Sequence, residues 1–152
     1  MNIHVSSPEE MTQLGLSLGK YLKESDVILL AGDLGVGKTH LSQAISTYFG
    51  ILREDVTSPS FSLIQEYQGK EKIYHCDFYR LDELDEVENL GIYDWLGKDG
   101  IGLLEWADKF PEILPTSYLE IQIKRGNQEE DRELVIIPHG KSWENRLKEW
   151  TL

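Results

Sequence analysis

Positive charge is scarce in this chain: 15 Lys and Arg stand against 27 Asp and Glu, for a formal charge of −12. That balance speaks against a direct, extensive grip on nucleic acid, so any RNA involved is expected to be held by a partner protein. Cysteine is nearly absent. Cys76 is the only one, which excludes an internal disulfide and agrees with a reducing compartment. It reads as a small buried hydrophobe in a strand rather than a reactive thiol. His75 has no second His or Cys at metal-ligand spacing, so it reads as a strand residue and not a ligand. No apolar run approaches the roughly 20 residues of a membrane span; the longest is Val27–Ala31. The acidic pair Glu9-Glu10 stands where a secretory leader would be basic and then apolar, so a cytoplasmic location is expected. Repeats, low-complexity tracts and linkers are also missing. The 152 residues are expected to form a single domain with a proper core.

What is present centres on one stretch. Val27–Ala31 reads as a buried strand, and Gly32-Asp33-Leu34-Gly35-Val36-Gly37-Lys38-Thr39 spells G-x-x-x-x-G-K-T, the phosphate-binding loop. Gly32, Gly35 and Gly37 let the backbone take positive φ and turn its N–H groups inward around an anion. Lys38 adds a cation for the β- and γ-phosphates, and Thr39 offers a hydroxyl to Mg²⁺. A helix is expected over 38–49, with Leu41, Ala44, Ile45 and Tyr48 on one face and its positive dipole end at the phosphates. ATP or ADP with Mg²⁺ is therefore the expected ligand, gathered by Gly32, Asp33, Leu34, Gly35, Val36, Gly37, Lys38, Thr39 and His40.

The rest arranges itself around that loop. Ile3–Val5 reads as a short edge strand. Ser7-Pro8-Glu9-Glu10 reads as a capping box for a helix running to about Leu22. The start of that helix is also a candidate neighbour of the nucleotide base. Polar residues 52–60 read as a loop: an ordinary surface loop, or a γ-phosphate-sensing switch with Thr57, Ser58 and Ser60 as its hydroxyls. A hairpin is expected over 61–79, ending in Asp77. Asp77 serves either as a turn former or as a carboxylate that orients water or metal, and Arg80 either as a charge stabiliser or as a partner for nearby acids. A helix is expected over 81–90. Ile101–Trp106 has the shape of a Walker B strand, with the single acid Glu105 as the expected Mg²⁺ ligand. Residues 118–123 and 134–137 read as antiparallel strands around the turn Arg125–Arg132. Trp143, Leu147 and Trp150 mark a last amphipathic helix that covers the sheet, or else offers a Trp to a partner or to adenine.

Taken together, the Walker loop, Ser58-Pro59-Ser60-Phe61-Ser62-Leu63, Asp77-Phe78-Tyr79-Arg80-Leu81, Gly91-Ile92 and Leu104-Glu105-Trp106 resemble a known family over nearly the whole chain. They look like the small bacterial ATPase of tRNA threonylcarbamoyladenosine biosynthesis, the TsaE or YjeE family. The resemblance implies an α/β fold, a P-loop NTPase three-layer sandwich with a mixed, partly antiparallel sheet. It implies slow Mg²⁺-dependent ATP hydrolysis that resets a complex with two partner proteins. Those partners place threonylcarbamoyl on N6 of adenosine 37 in tRNAs reading ANN codons, and tRNA is met indirectly through them. Carried over by position, Lys38 contacts the phosphates, Thr39 and Glu105 hold Mg²⁺, and Asp77 assists hydrolysis. Lys38, Asp77 and Glu105 form the expected catalytic set, and Ser58, Pro59, Ser60 and Ser62 the expected switch. Ser60 and Ser62 stand where Thr is frequent, and Met11 where the family often has Thr. The competing readings are a small-molecule P-loop kinase, which would need arginines in a mobile lid, and a nucleotide-binding scaffold without hydrolysis.

Overall fold

A computed structural model describes residues 1–59 and 62–150. Among the described residues seven strands are formed, β1 (Asn2–Val5), β2 (Val27–Ala31), β3 (Ile64–Gln68), β4 (Lys72–Asp77), β5 (Ile101–Glu105), β6 (Tyr118–Arg125) and β7 (Arg132–His139). They make one sheet in the order β1-β7-β6-β2-β5-β4-β3. The interior pairs β6–β2, β2–β5 and β5–β4 are parallel, and the flanking pairs are antiparallel. This is the mixed sheet of a P-loop fold. The unbroken apolar runs of β2 and β5 follow from their interior position, because a strand covered on both faces has no polar side to alternate with.

Ile28 and Leu30 point into one core with Leu103 and Ile121, covered by helices α1 (Pro8–Gly19), α2 (Lys38–Tyr48) and α4 (Lys141–Glu149). Val27 and Leu29 point into the other, closed by the short helix α3 (Leu84–Glu88), the single-turn helices at Ile92–Asp94 and Pro111–Ile113, and the rings of Trp95 and Phe110. The last helix covers the sheet: Trp143, Leu147 and Trp150 are all buried, and the Trp150 indole donates to Ser17 Oγ at 2.9 Å. Helices α1 and α2 cross closely because α1 presents Gly15 at the contact. A Cβ there would stand 2.4 Å from that of Ala44.

Local differences from the sequence reading have local causes. Ser7 caps α1 by accepting from the Glu10 amide at 3.2 Å, but the Glu10 carboxylate reaches past it to the Ser6 amide at 2.9 Å. α1 ends at Gly19 rather than near Leu22, since three-residue turns take over at Leu18–Tyr21 and Gly19–Leu22; Leu22 is buried all the same. The strand expected from 61 begins only at Ile64, because Leu63 has φ 68° and breaks the extended run. Phe61 lies outside the described residues. The acidic helix expected over 81–90 shrinks to α3, its start fixed by Glu86 Oε1 accepting the amides of Asp82 and Glu83. Among the described residues no helix is long and apolar enough to cross a membrane.

Cys76 is fully buried on β4, and burial pushes its thiol well above the ordinary value, helped by the charges of Glu105 and Asp77. The thiolate is the reactive form. Ellman's reagent at pH 8 is expected to leave the folded protein unmodified and to titrate one thiol in guanidinium; rapid colour without denaturant would contradict the buried assignment.

Candidate functional site

The glycine-rich loop leaves the C-terminal end of the central strand β2, the end at which open parallel sheets carry their ligands. Gly32, Gly35 and Gly37 take φ of 154°, 73° and 118°, so the motif's glycines are used as such. The register places Leu30 beside Glu105 and Asp77 beside Glu105. The ends of β2, β5 and β4 are therefore level, and both carboxylates arrive at the loop. Alternation puts His75 and Asp77 on one face with Leu103 and Glu105, the face on which α2 packs. A cavity of about 340 Å³ results, lined by Leu34, Gly35, Gly37, Lys38, Thr39, His40, Ser58, Asp77, Glu105 and Trp106.

Each charged group in this cavity is tied. The Lys38 ammonium is folded back on its own loop, donating to the carbonyl of Gly32 and, at 3.1 Å, to that of Asp33. It also lies 4.0 Å from the centre of the Trp106 ring. Burial pushes this ammonium below its ordinary value, while Glu105 and Asp77 act in the opposite sense. Trp106 reaches its place through a left-handed backbone, φ 63°, rarely adopted by a residue with a bulky side chain. Its ring also meets Tyr79 at 4.9 Å. Asp77 both forms a turn and faces the cavity: Oδ1 accepts the Tyr79 amide at 2.9 Å and Oδ2 the Ser58 hydroxyl at 3.3 Å. The turn after it is held by Lys109, whose ammonium donates to the carbonyls of Phe78, Tyr79 and Leu81 at 3.4, 3.0 and 2.6 Å. Glu105 is 3 % exposed, and its Oε2 lies 2.5 Å from Nε2 of His75, which is wholly buried.

A second cavity, about 270 Å³, opens on the other side of the loop between the start of α1 and the β6–β7 turn, bounded by Ser7, Pro8, Met11, Val36, Gly37, His40, Glu129, Glu130 and Arg132. His40, one of these residues, pairs with Thr12 Oγ1 at 2.9 Å. Both arginines of the hairpin bind the loop's backbone: Arg125 donates to Gly35 O at 3.3 Å and Arg132 to Val36 O at 2.8 Å.

Comparison with known proteins decides the family. The model of the threonylcarbamoyl adenosine biosynthesis protein TsaE matches residues 5–134. A Bacillus subtilis protein named tRNA threonylcarbamoyladenosine biosynthesis protein TsaE is 38% identical over 144 residues, 94% of this chain and 89% of its own length. A Nostoc protein of the same name is 38% identical over 141 residues, 90% and 85% of the two chains. The chain belongs to the TsaE family. The crystal structure of YdiB from Bacillus subtilis superposes with a TM-score of 0.82 at 30% identity, over 99% of this chain and 93% of that one.

Within this TsaE chain the fold brings together Leu34, Gly35, Gly37, Lys38, Thr39, His40, Ser58, Asp77 and Glu105. Gly32, Asp33 and Val36 line a neighbouring hollow at the end of β6, and the first two contribute carbonyls to Lys38. Pro59 is buried, Ser62 is exposed, and neither borders the cavity; Ser60 lies outside the described residues. The sequence reading passed over Lys109 and Thr12, named Trp106 only beside Glu105, and took His75 as a strand residue with no part in the site. For His75 a signal existed. It lies two residues before Asp77 on a strand, so the two share a face.

Proposed function

We propose that this chain is a Mg²⁺-dependent ATPase subunit of tRNA threonylcarbamoyladenosine formation, folded as a single domain. Its hydrolysis resets two partner proteins that modify adenosine 37 of tRNAs reading ANN codons. The observation that carries this reading is the level arrival of Asp77 and Glu105 at a glycine loop bearing Lys38 and Thr39. The loop amides and Lys38 take the phosphates, and the base and ribose occupy the cavity between α1 and the hairpin turn. The Thr39 hydroxyl and the Glu105 carboxylate are hard oxygen donors of the kind Mg²⁺ prefers, and they would hold it. When bound, the ion neutralises charge on the β- and γ-phosphate oxygens. Asp77 orients the attacking water, and the Ser58–Asp77 hydrogen bond links the polar loop 57–59 to that carboxylate. With −12 net charge the protein meets tRNA through its partners and not directly.

Against a kinase, Arg125 and Arg132 are engaged with carbonyls of the phosphate loop instead of being presented by a lid. Phosphate release from Mg²⁺–ATP by the purified protein, alone and with the two partners, tests the reading. A weak basal rate altered by the partners is expected. Glu105→Ala is expected to bind ADP nearly as well while hydrolysis drops about tenfold, the loss of one charge-stabilising ligand. Turnover that needs a small-molecule acceptor would return the kinase, and unchanged hydrolysis by Glu105→Ala would remove Glu105 from the metal.

A further inference from the structure

We infer that His75 is a positioning residue that aims the Glu105 carboxylate at the phosphate cavity. The inference rests on the reading of Glu105 as a metal ligand. His75 is 0 % exposed and Glu105 3 %, so neither side chain is placed by solvent. An ionised carboxylate can only accept hydrogen bonds, so the 2.5 Å contact makes Nε2 the donor and Oε2 the acceptor. The bond holds Oε2, and the carboxylate it holds belongs to a residue that borders the cavity.

The imidazole is itself fixed from behind. On β3, Tyr67 faces its other nitrogen, with the hydroxyl 3.5 Å from Nδ1 and the ring centres 6.1 Å apart. That hydroxyl donates to Gln65, and the Thr57 backbone bonds it too. Three adjacent strands thus supply one chain of contacts, Gln65–Tyr67 on β3, His75 on β4 and Glu105 on β5. A histidine hemmed in by that tyrosine ring has little freedom to turn, and so holds its carboxylate in one rotamer, as outer groups do for ligating side chains in general. Without the imidazole's N–H, Glu105 loses the bond that fixes its carboxylate and can turn away from the cavity.

The test reads metal affinity and not turnover. Mn²⁺ binding to the ADP-loaded protein, followed by electron paramagnetic resonance of the free ion, is compared for the wild type, Glu105→Gln, His75→Leu and His75→Gln. His75→Leu removes the donor while filling the space, and His75→Gln restores an N–H. A loss of about tenfold or more is expected for His75→Leu, with ADP affinity in EDTA unchanged and substantial recovery in His75→Gln. Unchanged Mn²⁺ affinity in Glu105→Gln would sink the metal reading itself. A weakened Glu105→Gln beside an unaffected, folded His75→Leu would overturn the positioning role alone. If His75→Leu does not fold, the wild type decides: a slowly exchanging Nε2–H resonance of His75 should be present and should shift on adding Mg²⁺ to the ADP complex. Its absence, or indifference to Mg²⁺, refutes the inference.

Discussion

Lys38→Ala is expected to weaken ADP binding about 100-fold, roughly 3 kcal/mol, with the fold intact by circular dichroism. The ammonium is already delivered to the cavity mouth, held by the carbonyls of Gly32 and Asp33 and lying over Trp106. Little side-chain freedom remains to be lost when a phosphate replaces the carbonyls, so most of the charge-assisted contact survives as affinity. Its removal also unmasks Asp77 and Glu105, two buried carboxylates lining the same cavity, which then repel the incoming anion. Lys38→Arg should not rescue it. A planar guanidinium is larger than the ammonium seated against Trp106 and carries its donors in a fixed fork. Calorimetric titration with ADP measures both variants; an alanine variant within threefold of the wild type would mean that phosphate is bound elsewhere.

The second large effect lies at the opposite end of β2 and concerns stability. Asp26 is 7 % exposed and accepts two bonds from Arg146 of α4, at 2.8 Å from Nη1 and 2.7 Å from Nη2, together with the Lys23 amide at 2.8 Å. The same guanidinium donates to Tyr21 O and lies over the Trp143 ring at 3.8 Å. Asp26→Ala leaves that charge half-buried without its counter-ion, which costs about 3 kcal/mol. For a chain of this length the loss corresponds to a melting temperature lower by roughly 6–12 °C. Asp26→Leu combined with Arg146→Met should recover part of this, because an apolar pair leaves no charge stranded. ADP affinity should stay within twofold of the wild type, the loop being at the other end of the strand. A melt unchanged in Asp26→Ala would show that α4 is held by its tryptophans alone.

Much of the site was legible because a phosphate loop is local. Its glycines, its lysine and its threonine lie within eight residues, and the strand and helix on either side of it are each written in a short pattern of burial. The hairpin around Arg125–Arg132, the edge strand at the start and the covering role of the last helix were legible for the same reason. The extent of α1 and of the segment 81–90 was less so. Helical spacing of leucines does not distinguish a helix from three-residue turns that bury the same side chains, as at Leu22.

The sequence by itself determined the glycine-rich loop, the α/β class with its flanking antiparallel strands, the two acids that close β4 and β5, and the family. Only the tertiary structure decided what those groups touch. Lys38 turns back on its loop and lies over Trp106, His75 meets Glu105, Lys109 ties the turn after Asp77, and the hairpin arginines clasp the glycine-rich loop. The reason is physical. Alternation along a strand states which face a side chain occupies, but not which strand lies alongside. The order that sets β5 between β2 and β4 is fixed by the packing of the whole sheet, over separations that no local pattern records.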